Sequence, residues 1–253
     1  MVSRVGTDIF ADNTIRNFKA YGVDTTHVKK VEGMSSGVAP IFVYQHGQNS
    51  ILIIKGANNA LTPAEVDAAE ADIRSCGLII LQLEIPLETV YHTIELGRRS
   101  GIPVLLNPAP ATKELAIDRV CACDFFVPNE TELAILTEMP TATQEDVEHA
   151  AAFLLDKGLK NVIVTLGERG VLWMTKEEKH FVPACYVDAT DTSGAGDAFI
   201  GCFSSSYVQD GDTLAAIRKA SAFAALSVTR KGTQMSYPDR ATFAAFLAQQ
   251  GGR

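Results

Sequence analysis

Seven residues, Asp191-Thr192-Ser193-Gly194-Ala195-Gly196-Asp197, combine two carboxylates with two glycines and an alanine just where a helix over residues 195–208 is expected to begin. Glycine and alanine leave the backbone N–H groups of a first helical turn uncovered, so an anion can approach closely, and the helix dipole favours negative charge there. This is the chemistry of an anion hole for a phosphoryl group in transfer. Asp197, in the same turn, is stabilised as a carboxylate by the dipole and stands beside the phosphate, placed to take a proton from an attacking hydroxyl. The plainer alternative is a glycine-rich helix start in which Asp197 only complements the dipole. Two rival motifs fail on residue type. No Gly-x-x-x-x-Gly-Lys-Ser/Thr occurs, and Gly194-x-Gly196-x-x-Phe199 lacks the third glycine and the early βαβ position of a dinucleotide fingerprint, which argues against a nicotinamide enzyme.

Other polar residues recur at the ends of apolar runs. Residues 78–83 are followed by Glu84, 103–106 by Asn107, 124–127 by Pro128-Asn129, and 161–164 by Thr165-Leu166-Gly167. Ligands of open parallel sheets bind beyond the carboxyl ends of the strands, so four such endings at one edge favour a site over ordinary loop polarity. Thr165-Leu166-Gly167-Glu168-Arg169-Gly170 is a turn that can lay its backbone against a nucleotide, although Gly-x-x-Gly also makes plain β-turns. Asn129-Glu130-Thr131-Glu132 reads as a capping box, Asn129 as N-cap and Glu132 as its partner. Its alternative use is Asn129 on phosphate and Glu132 on the water shell of Mg²⁺.

These residues need a scaffold. From residue 78 onward the apolar runs alternate with helical stretches at 86–100, 130–137 and 144–157, the pattern of βαβ units. The expected fold is α/β: a three-layer, doubly wound, mostly parallel sheet forming one domain over residues 1–253. Residues 37–44 and 49–55 read as two strands joined by Gln45-His46-Gly47-Gln48, a small β subsheet. Further strands are expected at 171–175 and 180–183, a strand-like segment at 185–187, and helices from about 194, 212 and 238.

The chain has 253 residues, 47% of them hydrophobic, enough for a sizeable core. Its formal net charge of −8 argues against nucleic acid or an anionic membrane as partner, so any phosphate must be bound locally. With no long apolar run and no signal-peptide core at Met1 to Gly6, a cytoplasmic protein is expected. The five cysteines are scattered and suit reduced thiols, and Cys121-x-Cys123 lacks the second pair that zinc needs. The five histidines form no nucleophile or metal arrangement and are read as surface or packing residues.

Taken in order and spacing, Asn107-Pro108-Ala109-Pro110-Ala111, Asn129-x-x-Glu132, the Thr165 to Gly170 turn and the Asp191 to Asp197 segment resemble the ribokinase branch of the PfkB carbohydrate kinases. Asp8 to Asn13, Ser35 to Pro40 and Ser50 to Asn58 look closest to bacterial 2-deoxyribose kinases. The resemblance implies a ribokinase-like fold with a small β lid to which residues 37–55 contribute, ATP and Mg²⁺ as cosubstrate and cofactor, and ribose or 2-deoxyribose as the sugar. It implies Asp197 as base, Gly194, Ala195 and Gly196 as anion hole, Asn129, Thr165 to Gly170 and Ser221 on ATP, and Glu84 near the sugar. It also implies a monovalent cation, K⁺, at Asp191, Ser193, Ser227, Arg230, Gly232 and Ser236, suited to a hard ion, and a homodimer formed through the lid. Arg230-Lys231-Gly232-Thr233 also reads as a basic helix end with a glycine C-cap, and both roles can coexist.

In that family the segment resembling Val5 to Phe10 follows a first strand ending in an Asn-x-x-Asp type sugar contact and a Gly-Gly-Lys-Gly-Ala-Asn type loop. Neither precedes it here, so the chain is expected to be short of much of the sugar pocket and part of the lid. The alternatives to an active pentose kinase are therefore a catalytically impaired nucleotide- or sugar-binding fragment and a PfkB-type kinase for another sugar or a nucleoside.

Overall fold

A computed structural model describes residues 1–43 and 49–250, so the expected turn Gln45-His46-Gly47-Gln48 lies outside the described residues. The chain divides into two compact units, Met1–Ile102 and Pro103–Arg253.

The first unit starts with β1 (Val2–Val5), α1 (Ile9–Ala20) and β2 (His27–Lys30), with β1 and β2 parallel. Parallel neighbours need a crossover, and α1 supplies it, burying Ala11 with Val5 and Val28 while Ile15 and Phe18 pack against them. Asp8 fixes the turn between strand and helix. Its carboxylate accepts from Ala11 N at 2.9 Å as a helix cap and from both Ser36 N and Ser36 Oγ at 2.7 Å. Next come β3 (Ile41–Val43) and β4 (Asn49–Ile51), an antiparallel pair extended by a bridge between Val38 and Ile54. The two expected strands are present but shorter. α2 (Pro63–Asp67), α3 (Glu70–Ile73), β5 (Ile79–Leu81) and α4 (Leu87–Ser100) complete the unit, with Arg4 ion-paired to Glu65.

The second unit holds β6 (Val104–Leu106), α5 (Ile117–Val120), β7 (Phe125–Phe126), α6 (Glu130–Thr137), α7 (Gln144–Asp156), β8 (Val162–Thr165), β9 (Val171–Met174) and β10 (Lys179–Val182). Then follow α8 (Ala195–Asp210), α9 (Thr213–Ser227) and α10 (Arg240–Gln250). Its strands lie in the order β10-β9-β8-β7-β6. β6, β7 and β8 are parallel, and β8–β9 and β9–β10 antiparallel. The fold class is α/β as expected, with a mixed sheet. α6 and α7 pack against β8, α9 against β10, and α8 along α9.

α8 is attached to the sheet by aromatic rings. Phe199, Phe203 and Tyr207 recur every four residues along one face, with Phe199 and Tyr207 stacked on Phe203 at 6.3 and 5.9 Å. Phe125 of β7 meets Phe203 and Tyr207 edge-on at 5.2 and 4.7 Å.

Two expectations need correction, and three elements go beyond what the sequence shows. Residues 185–187 form no strand, because their backbone has no ladder partner and runs as coil. α8 extends to Asp210, beyond the expected end at 208, and stops at Gly211 in the left-handed conformation. β1, α1 and β2 were not anticipated. All five cysteines are free, and no described helix is long and apolar enough to cross a membrane.

Phe203 is completely buried at the centre of the aromatic cluster. Phe203→Ala should lower unfolding free energy by about 3–5 kcal/mol, measured by urea denaturation.

Candidate active site

The three parallel strands of the second unit end on one cleft. Asn107 follows β6, Val127 and Asn129 follow β7, and Thr165 closes β8. Thr192 and the first turn of α8 from Gly194 to Asp197 form the facing wall, and Ala109, Glu132, Phe199 and Ile200 complete a cleft of about 170 Å³ that is open to solvent. Such a crevice beyond the carboxyl ends of parallel strands is where α/β sheets bind ligands.

Local structure holds these groups in place. Asn107 Nδ2 donates to the Val127 carbonyl at 2.8 Å, linking the ends of β6 and β7. The capping box is formed: Asn129 Oδ1 accepts from Glu132 N, and Glu132 Oε2 accepts from Asn129 N, both at 2.8 Å. Loss of hydration pushes the Glu132 carboxyl above its ordinary value, partly opposed by that Asn129 N–H.

Gly194 opens α8 with φ +77, a left-handed conformation that L side chains rarely adopt. A Cβ at Gly194 would lie 3.0 Å from Tyr237 Oη, whereas one at Gly196 would project into open space. Among the described residues, the N–H groups of Gly196 and Asp197 donate to no protein acceptor, and no group is paired with the Asp197 carboxylate. Uncovered amides next to a space that a Cβ would fill suit a phosphate.

Asp197 reaches solvent on its outer side, but the concave wall removes much of its hydration and pushes its carboxyl above the ordinary value of 3.8. The helix dipole was expected to hold it low. Dehydration in the cleft outweighs that effect.

Asp191 behaves in the opposite way. Its Oδ2 accepts from Gly232 N at 2.9 Å and its Oδ1 from Ser193 N at 3.0 Å, and these bonds hold its carboxyl below the ordinary range. Of the expected cation residues, Asp191, Ser193 and Gly232 are thus joined directly. Ser227 and Arg230 share a backbone bond of 3.4 Å at the end of α9. Ser227 and Ser236 are buried, with hydroxyls donating to the carbonyls of Ala224 and Thr233.

The remaining expected site residues do not line the cleft. Leu166 is buried, and Gly167, Glu168 and Arg169 form a 3₁₀ turn in which Arg169 pairs with Glu130. Gly170 answers a packing demand, since a Cβ there would stand 2.1 Å from the Val182 carbonyl. Ser221 is buried on α9, and Glu84 lies in the first unit after β5. Conversely, Val127, Phe199, Ile200 and Tyr237 carry no site signal in the sequence, and Thr192 falls in the glycine-rich segment without a role of its own. For Thr192, that place in the segment was a usable signal.

Uncovered amides, a partly dehydrated carboxylate with no partner and a cleft at parallel strand ends fit an α/β phosphotransferase. The family described as "pfkB family carbohydrate kinase" matches residues 1–240, and the chain belongs to it. It is 60% identical over 248 residues to a deoxyribokinase of Salmonella typhi, spanning 98% of this chain and 81% of that one. A ribokinase of Schizosaccharomyces pombe is 41% identical over 242 residues, 94% of this chain and 76% of that one. Among solved structures, an Arabidopsis thaliana ribokinase complexed with ribose and ATP aligns with a TM-score of 0.89 at 31% identity, covering 97% of this chain and 80% of that one.

A base at Asp197 would work only when deprotonated, so with Asp197 in that role turnover should fall as pH drops through its raised value. The acid limb of the kcat profile is expected above 3.8, and a limb at or below it would contradict the assignment. Asp197→Ala should reduce kcat by about 10²–10⁴-fold without loss of thermal stability, because its carboxylate accepts no protein hydrogen bond.

Proposed function

We propose that the chain transfers the γ-phosphoryl group of MgATP to the 5-hydroxyl of 2-deoxy-D-ribose or D-ribose, with the 2-deoxy sugar preferred. The observation that carries this reading is one cleft holding an unpaired carboxylate beside amides that lack acceptors. The higher identity to the deoxyribokinase than to the ribokinase supports the sugar preference.

Asp197 accepts the proton of the 5-hydroxyl as its oxygen bonds to the γ-phosphorus. The bond from that phosphorus to the bridging oxygen breaks in line, and ADP leaves. The N–H groups of Gly194, Ala195 and Gly196 and the dipole of α8 stabilise charge on the transferring group. A carboxyl raised towards neutrality suits a base that must take a proton and later release it. Asn129 and Thr165, which line the cleft, and the exposed backbone of the Gly167–Glu168 turn that follows would bind the nucleotide. Glu132, facing the cleft from its capping box, would hold the hydration shell of Mg²⁺, an ion that neutralises phosphate oxygens and keeps most of its waters.

Asp191, Ser193, Ser227, Arg230, Gly232 and Ser236 would hold K⁺, which supplies fixed positive charge beside the amides. The ionised Asp191 and the oxygens of the two buried hydroxyls fit a hard monovalent ion. ATP as cosubstrate suits a cytoplasmic setting. Leu52 and Ile54, just beyond β4, are exposed, 54% and 44%, which supports the use of this β segment as a lid through which two copies pair.

A coupled assay of ADP release with both sugars tests the reaction. Turnover should be higher with 2-deoxyribose, lost on chelation of Mg²⁺ and reduced when K⁺ is replaced by choline. No turnover with either sugar would sink the reading, and a preference for ribose would sink its finer part. Sedimentation should give a dimer that Leu52→Asp converts to monomer, and a monomeric wild type would refute the pairing.

A further inference from the structure

The Tyr237 side chain reaches the start of α8 from the far end of the second unit. Its hydroxyl donates to the Gly194 carbonyl at 3.1 Å across 43 positions of sequence. The contact is close: a Cβ on Gly194 would meet Tyr237 Oη at 3.0 Å and Thr233 Cβ at 3.3 Å. The ring is seated independently of that bond. Its centroid is 6.3 Å from Phe223 of α9, which meets Phe243 of α10 edge-on at 5.0 Å.

The Gly194 carbonyl and the Ala195 N–H belong to one peptide group, which is planar and rigid. A donor fixed on that carbonyl therefore fixes the direction of the Ala195 N–H. It also polarises it, because hydrogen bonds along a peptide reinforce one another. Without Tyr237 this peptide is held by the helical bond from Ala198 N to the same carbonyl, 2.9 Å, and by a long 3.3 Å bond from Ala195 N to the Thr192 carbonyl. The Asp191 bonds to Ser193 N and Gly232 N place the loop but do not touch this peptide, and Gly194, with φ +77 and no side chain, adds no restraint of its own on how the peptide turns.

We propose that Tyr237 is a positioning residue for phosphoryl transfer, its hydroxyl locking the Gly194–Ala195 peptide so that the Ala195 amide of the anion hole is set before the phosphate arrives. This rests on the phosphoryl-transfer reading above. Burial, together with the Asp197 carboxylate, pushes the phenol up to about 12, so it stays a neutral donor throughout the working pH range.

Tyr237→Phe keeps the ring against Phe223 and removes only the donor. Expected is a kcat lower by about tenfold, less than the ~10²-fold that a full misplacement of about 1 Å can cost, with KM for sugar and ATP unchanged and the unfolding midpoint lowered by no more than the loss of one hydrogen bond. Calorimetry supplies a second readout. Binding of MgADP with aluminium fluoride and sugar, a mimic of the phosphoryl group in flight, should weaken about tenfold while MgATP binding stays the same. Wild-type kcat and wild-type affinity for the mimic in Tyr237→Phe would overturn the proposal. So would a larger fall in thermal stability with equal losses in ATP and mimic binding, the mark of a merely structural tyrosine. A wild-type chain that turns over neither sugar overturns the function itself, and the role of Tyr237 with it.

Discussion

The Asp191 carboxylate accepts two backbone hydrogen bonds, one from the loop that leads into α8 and one from the turn that follows α9. Each N–H would otherwise need a partner, and the carboxylate satisfies both at once. The Asp191 and Thr190 N–H groups also donate to the Val228 carbonyl, at 3.1 and 2.7 Å, so the loop is tied down on both sides of its bend. What this clamp fixes is the position of Gly194, and through it every amide at the helix start.

Two aspartates six positions apart are driven in opposite directions by their surroundings. Asp191 is held low, first by the Gly232 N–H and then by Ser193, so it stays charged and its contribution to the loop is present at neutral pH. That contribution fades only as pH falls through its lowered value. Asp197 has no donors and is raised by dehydration alone. One carboxylate thus serves as a fixed structural anion, and the other is left able to exchange a proton. Opposed environments for paired carboxyls are a general way to divide such roles.

Much of this could be read from the chain. The Asp191 to Asp197 segment was legible because its chemistry is local: glycines, an alanine and two carboxylates within seven residues. Asn107, Asn129 and Thr165 were legible because a strand end announces itself as the point where an apolar run turns polar. β1 and β2 were not, since Arg4, Lys29 and Lys30 interrupt runs of only four residues, and their pairing depends on a helix packed between them. Residues 185–187 look like a strand in composition, but a strand exists only with a ladder partner. Tyr237 could not be found at all, because nothing near it in sequence shows that its hydroxyl ends on a carbonyl 43 positions away.

The start of α8 differs from its neighbours in a way that links stability to use. α6, α7, α9 and α10 each begin with a side-chain oxygen on a first-turn N–H, from Asn129, Thr143, Asp212 and Asp239. α8, the longest of them, begins at Gly194 with no such bond. A missing cap costs a helix about 1 kcal/mol, and a glycine in its first turn weakens it further. The helix tolerates this because it is held from its middle, where Phe199, Phe203 and Tyr207 pack among themselves and on Phe125. A cap would occupy a donor that an incoming phosphate needs. Anchoring the helix through its aromatic face leaves those donors uncovered yet fixed in space, the state in which they bind an anion with least reorganisation.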